Sequence, residues 1–176
     1  MKRLVIIAMA LVMVVGIGIG SASAANSLQQ GKISVGVGIG NGDIVDLNAR
    51  YLVTKDLAIV GGIGLEIGGG DVDTTYLSFT AGVRKYLKTT DFAPFVGGQL
   101  SYASSKAENN LGATTSDYNT LDLSAMFGAE YFVGPQFSVE GSVGIGFGQL
   151  KDKHNPNSDV TYFGTRTTGV KANFYF

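Results

Sequence analysis

From residue 33 to the last residue, apolar side chains recur at every second position in one segment after another. Only a β-strand turns successive side chains to opposite sides, so this chain must form a sheet with two chemically different faces. The first segment sets Ile33, Val35, Val37 and Ile39 against Ser34, Gly36, Gly38 and Gly40. The seventh sets Phe137, Val139, Val143, Ile145 and Phe147 against Ser138, Glu140, Ser142 and Gly144. The eighth sets Val170, Ala172, Phe174 and Phe176 against Thr165, Thr167, Lys171 and Asn173. Eight such segments follow one another, each close to the ~9–11 residues of a tilted strand that crosses a bilayer.

The connections decide between two ways of burying such strands. Tight turns at Thr54-Lys55-Asp56, Lys88-Thr89-Thr90-Asp91 and Gly134-Pro135-Gln136 alternate with longer polar connections, notably residues 104–117 and 151–159. The first of the intervening connections is the exception, because Gly40-Asn41-Gly42-Asp43 reads as a tight Asn-Gly hairpin. A soluble β-sandwich also alternates apolar and polar positions. It does not demand short turns at one end and long loops at the other, with an even strand count and both termini on the short-turn side. A membrane barrel does. The sequence therefore predicts an all-β fold, an eight-stranded antiparallel up-and-down transmembrane β-barrel spanning residues 25–176.

The N-terminus has a different character. Lys2 and Arg3 precede an uncharged apolar run over residues 4–20, and Ala22-Ser23-Ala24 follows. A positive start, an apolar middle and small residues at the end make a cleavable export signal. Residues 1–24 are read as that signal, with the cut after Ala24 or Ala25. No later run approaches the ~18 apolar residues that a membrane helix requires.

Composition excludes several functions. The formal net charge is −1, which leaves no basic face for nucleic acid. There is no cysteine, hence no disulfide, thiolate ligand or thiol nucleophile. His154 is the only histidine, in the polar stretch His154-Asn155-Pro156-Asn157-Ser158, and one histidine makes no multi-histidine metal site. A lipid hydrolase with a His-x-Ser pair is not matched, since position 156 is proline. The Gly-x-Gly runs at 36–40, 62–64 and 144–148 lack the third glycine of a nucleotide loop. Their period of two instead puts glycine on an inner face, where it relieves crowding. No catalytic residue, metal site or cofactor is predicted, and the chain is read as not being an enzyme.

The inward charges are the candidate functional groups. By strand parity Arg50, Arg84, Glu130, Glu140 and Lys171 share one approximate level inside the barrel. Eight strands leave an interior just wide enough for side chains, and buried charges must pair. They form either a structural salt-bridge plug or a gate in a narrow ion path. Higher up, Asp46, Glu66 and Asp122 form an acidic set with no obvious interior cation, which either meets water from the outer mouth or creates a weak cation preference. Tyr51, Tyr86, Tyr102, Tyr131, Phe137 and Phe147 lie near strand ends as candidate interfacial girdles, although parity turns Tyr86 inward.

Two stretches carry a family resemblance: the strand opening Phe92-Ala93-Pro94-Phe95-Val96-Gly97-Gly98 and the terminus Asn173-Phe174-Tyr175-Phe176. Over the whole mature chain the sequence resembles the small outer-membrane β-barrels, which include opacity-type proteins and OmpA-like transmembrane domains. The resemblance implies the bacterial outer membrane, with its lipid and lipopolysaccharide, as the setting. It also implies a monomer delivered by periplasmic chaperones to the barrel-assembly machinery, with Phe174 and Phe176 in the assembly signal. The expected function is structural, maintaining membrane integrity and displaying loops outside. The alternatives are a narrow ion or small-solute porin and an adhesin or surface-binding module.

Overall fold

A computed structural model of the chain describes residues 26–40, 45–69, 72–109, 113–153 and 158–176. The proposed export signal, the Asn41-Gly42 hairpin tip and His154 lie outside these residues. Eight strands form one closed barrel in sequence order: β1 (Ile33–Ile39), β2 (Val45–Leu52), β3 (Leu57–Gly68), β4 (Val72–Tyr86), β5 (Phe92–Asn109), β6 (Thr114–Phe132), β7 (Phe137–Asp152) and β8 (Val160–Tyr175). Every neighbouring pair is antiparallel, and β1 closes on β8 with Val37 opposite Ala172. Closure leaves no strand edge within the paired wall, which is what the absence of water in a bilayer core demands.

The tight turns fall where the sequence places them. Val53 N–H donates to the Leu57 carbonyl at 2.8 Å and Val133 N–H to the Phe137 carbonyl at 3.0 Å, each closing a short loop. The opposite end departs from expectation. Most of the stretch 104–117 is not a loop: β5 runs on to Asn109 and β6 begins at Thr114. Its residues alternate no apolar face, yet the backbone stays paired, with Lys106 opposite Asp117 and Ala107 opposite Ser116. The resulting hairpin continues past Tyr102 and Leu121, where the outward apolar run stops.

The faces are inverted relative to a soluble protein. Ile67, Leu123, Phe127, Phe147 and Phe163 point outward and are 56–65% exposed. Such a continuous apolar belt is tolerated only against lipid. Aromatic rings sit at both rims. Tyr51, Phe92, Tyr131 and Phe176 lie at the tight-turn end and Tyr102, Phe147 and Phe163 farther out, all exposed. Phe174 packs edge-on against Phe176 at 5.1 Å.

Inside, the tight-turn end is closed by a small apolar cluster of Leu28, Leu52, Ala58, Ala93, Phe95, Phe132 and Tyr175. Leu28 reaches it because the segment before β1 folds across the mouth. There Gly31 N–H donates to the Leu52 carbonyl at 2.8 Å, and Ser27 Oγ to the Pro135 carbonyl at 2.5 Å.

Candidate functional site: the barrel lumen

Above the apolar base lies a layer of ionised side chains. Arg50, Arg84, Glu130 and Glu140 are 0–2% exposed. Arg50 comes from β2, Arg84 from β4, Glu130 from β6 and Glu140 from β7, so the layer ties strands on opposite walls. Arg50 Nη1 donates to Glu130 Oε2 at 2.8 Å and Nη2 to Glu140 Oε2 at 2.7 Å. Arg84 donates to the same Glu140 from both terminal nitrogens, at 2.6 and 2.7 Å. Two cations face two anions, and the layer is neutral.

Neutral donors complete it. Tyr86 Oη donates to Glu130 Oε2 at 2.6 Å and Tyr175 Oη to Glu130 Oε1 at 2.8 Å. Ser138 Oγ donates to Glu130 as well, and Asn173 Nδ2 does so at 3.3 Å. Arg50 Nη1 also lies 2.8 Å from Tyr86 Oη and 2.6 Å from Tyr175 Oη. The Arg84 guanidinium stacks 3.7 Å from the centre of the Phe95 ring. A buried ion pair is stable only when its remaining lone pairs and protons are also met. Tyr86 and Tyr175 do this for Glu130 and for Arg50 Nη1, whereas Nε of Arg50 and of Arg84 has no hydrogen-bond partner among the described residues.

Lys171 stands apart from the other four predicted charges. It is opposite Glu140 in the β7–β8 register, but its ammonium reaches across β1 to Asp46 Oδ2 at 2.8 Å. The acidic set is likewise not without cations. Asp46 has Lys171, and Asp122 accepts from Arg166 Nε at 3.0 Å and from Tyr162 Oη at 3.2 Å. Glu66 has no ion-pair partner among the described residues.

Arg166 escaped sequence reasoning because of a β-bulge. Thr167 pairs with Gly144 and Thr165 with Ile145, so Arg166 is the extra residue between them. The bulge inverts parity along the rest of β8. Thr165, read from the sequence as inward, is therefore exposed, whereas Tyr162 turns inward and Phe163 stacks outside on Phe147 at 4.7 Å. Tyr175 had a usable signal, since it shares parity with Lys171 and Asn173. Its membership in the aromatic terminus hid that. Tyr86, inward by parity, is 2% exposed in the plug and does not belong to a girdle.

Above the plug the lumen reopens. A chamber of about 70 Å³ is lined by Asn48, Gly62, Gly82, Arg84 and Met126. It shares Asp46, Ser78, Thr80, Gln99, Met126 and Lys171 with a larger space of about 490 Å³ that faces the long-hairpin end.

A closed eight-stranded ring with a lipid-type exterior and a charged interior is the arrangement of an outer-membrane barrel. The model of the outer membrane protein beta-barrel domain matches residues 12–175. The chain belongs to this family. No curated protein is significantly similar in sequence. Among solved structures, the N-terminal barrel of Pseudomonas aeruginosa OprF superposes with a TM-score of 0.58 at 14% identity, over 84% of this chain and 98% of that one. Neisserial surface protein A gives 0.54 at 13% identity, over 82% and 95%. The Yersinia pestis attachment invasion locus protein Ail gives 0.51 at 17%, over 84% and 100%. At these identities the likeness is one of fold. This outer-membrane barrel resides in the bacterial outer membrane, its belt in contact with lipid.

Proposed function

We propose that this outer-membrane barrel is a closed structural element that contributes to membrane integrity and carries its long hairpins outside. The observation that carries this reading is Arg50. It sits in the lumen with partners on four other strands, Tyr86, Glu130, Glu140 and Tyr175. Any ion path has to pass this layer, and the apolar base with Leu28 lies below it. Planar-bilayer recordings of the purified barrel test the reading. Steady absence of conductance is expected, together with heightened detergent sensitivity of cells lacking the protein. Regular channel steps from the unaltered protein would overturn it.

A second reading, surface binding, is favoured by the β5–β6 hairpin. Seven residues of β5 follow Tyr102, which at a rise of about 3.3 Å per residue projects the hairpin roughly 20 Å beyond the belt. Trimming residues 105–116 while keeping the barrel folded is expected to abolish attachment to a surface if this reading holds. Unchanged attachment would dismiss it.

A further inference from the structure

The space above the plug is a blind well, open to the outside and floored by Met126, with the small chamber over Arg84 opening beneath it. Its volume of about 490 Å³ falls in the range of about 300–1,000 Å³ typical of small-molecule sites. Four wall charges are already engaged with one another, as Asp46–Lys171 at 2.8 Å and Asp122–Arg166 at 3.0 Å. An ionic ligand entering here has to break one of these pairs. A neutral ligand does not.

The rest of the polar lining is uncharged. Thr80 and Ser101 hydroxyls face each other at 3.3 Å, and Gln99 Nε2 donates to Thr167 Oγ1 at 2.7 Å. More telling is what lacks a partner. In the small chamber beneath, Asn48 is 4% exposed, and neither its Oδ1 nor its Nδ2 has a hydrogen-bond partner among the described residues. Ser142 Oγ, on the opposite wall, is also buried without one. Unmet buried polar groups cost free energy, and a buried amide with both ends unmet calls for a molecule that donates and accepts. The Met126 thioether at the floor and the Tyr76 ring in the wall supply apolar surface.

We infer that the outer well is a binding site for a small neutral polyhydroxy compound of mono- or disaccharide size. Each hydroxyl both donates and accepts, which matches Gln99, Thr80 and Ser101 in the well and Asn48 in the chamber beneath it. The carbon–hydrogen faces of such a molecule suit Met126 and Tyr76. This inference goes beyond the structural role and does not depend on it, because the well is filled from outside whether or not the plug ever opens.

The test uses the whole barrel folded in lauryldimethylamine oxide, a detergent with no sugar headgroup. Sucrose is the neutral probe, glycine betaine the zwitterion and gluconate the anion, each followed by saturation-transfer NMR. Sucrose is expected to bind saturably with Kd of the order of millimolar. Gln99→Leu is expected to weaken binding about tenfold, or about 1.4 kcal/mol. Ser101→Trp, which fills the well, should abolish it. Both variants are first shown by heat-modifiable gel migration to be folded, and Lys106→Ala on the outer surface should bind like the unaltered protein. Absence of saturable sucrose binding, so that the well holds water only, overturns the inference. So does binding that survives both well variants, or tighter binding of betaine or gluconate.

Discussion

Arg84 holds Glu140 with both ends of its guanidinium, Nη1 2.6 Å from Oε2 and Nη2 2.7 Å from Oε1. Arg50 shares Oε2 at 2.7 Å, so one carboxylate neutralises parts of two cations. Glu140→Gln leaves two guanidiniums with the single carboxylate of Glu130. It is expected to cost about 3–5 kcal/mol, the usual penalty for stranding a buried charge. Urea unfolding in lipid vesicles measures it. The double variant Arg84→Met with Glu140→Met keeps the layer neutral through Arg50 and Glu130. It should cost clearly less than the single change, and an equal or larger cost would show that charge balance is not what the layer supplies.

The bulge at Arg166 makes a second expectation specific. Deleting Arg166 removes the extra residue and restores one-to-one pairing, so Tyr162 stays inside and Phe163 outside. The deletion variant should fold and keep its heat-modifiable migration. Its loss should be limited to the part-exposed Asp122 pair and the stacking of Arg166 on Tyr162, about 1–2 kcal/mol together. If β8 alternated without interruption, the same deletion would turn Phe163 into the lumen and prevent folding.

Two glycines on neighbouring strands separate crowding from mere composition. A Cβ on inward Gly128 would collide with the Gly141 carbonyl and lie 2.7 Å from Phe95 Cζ, whereas one on outward Gly141 would meet nothing within 4 Å. Gly128→Ala is therefore expected to destabilise by about 1–3 kcal/mol, the cost of overpacking. Gly141→Ala should stay within about 0.5 kcal/mol. Equal effects in urea titrations would remove the crowding explanation.

The outward belt can be tested at its middle. Phe127 is 56% exposed, and on a soluble protein its replacement by arginine would be harmless. In a bilayer Phe127→Arg is expected to cost about 2–4 kcal/mol, and Asn119→Arg, on the same face beyond the belt, about 0–1 kcal/mol. Vesicle refolding that fails to separate the two substitutions would contradict the placement of the belt.

At the tight-turn end Asp56 accepts from Lys85 Nζ at 2.5 Å and from Thr54 Oγ1 at 2.6 Å. The Lys85 hydrogen bond, followed by that of Thr54, holds the Asp56 carboxyl below its ordinary value. A lowered carboxyl contributes stability above the pKa of the unfolded chain and loses it as pH falls through the folded value. NMR titration of the carboxyl carbon should show this, with Lys85→Met moving the midpoint upward. An unmoved midpoint would mean that Lys85 does not act on it.

Much of this protein is legible in its sequence. Alternation along Ile33, Val35, Val37 and Ile39, repeated eight times, determined strands, their two faces and the closed antiparallel order, because only a strand alternates and only a closed sheet satisfies its backbone in lipid. Parity alone also turned Arg50, Arg84, Glu130 and Glu140 inward. Which charge meets which was decided by the tertiary structure. Arg50 finds Glu130 and Glu140 across the lumen, 80 and 90 residues away, and strand tilt sets the heights at which they meet. The same tilt carries Lys171 to Asp46 instead of its register partner Glu140. One inserted residue at Arg166 reset the faces of upper β8, which no count of alternating residues can reveal when the stretch is Thr165, Thr167 and Thr168 on either side. The pattern along a strand is local and survives in sequence, whereas the partners across a barrel depend on closure, tilt and bulges, which belong to the whole ring.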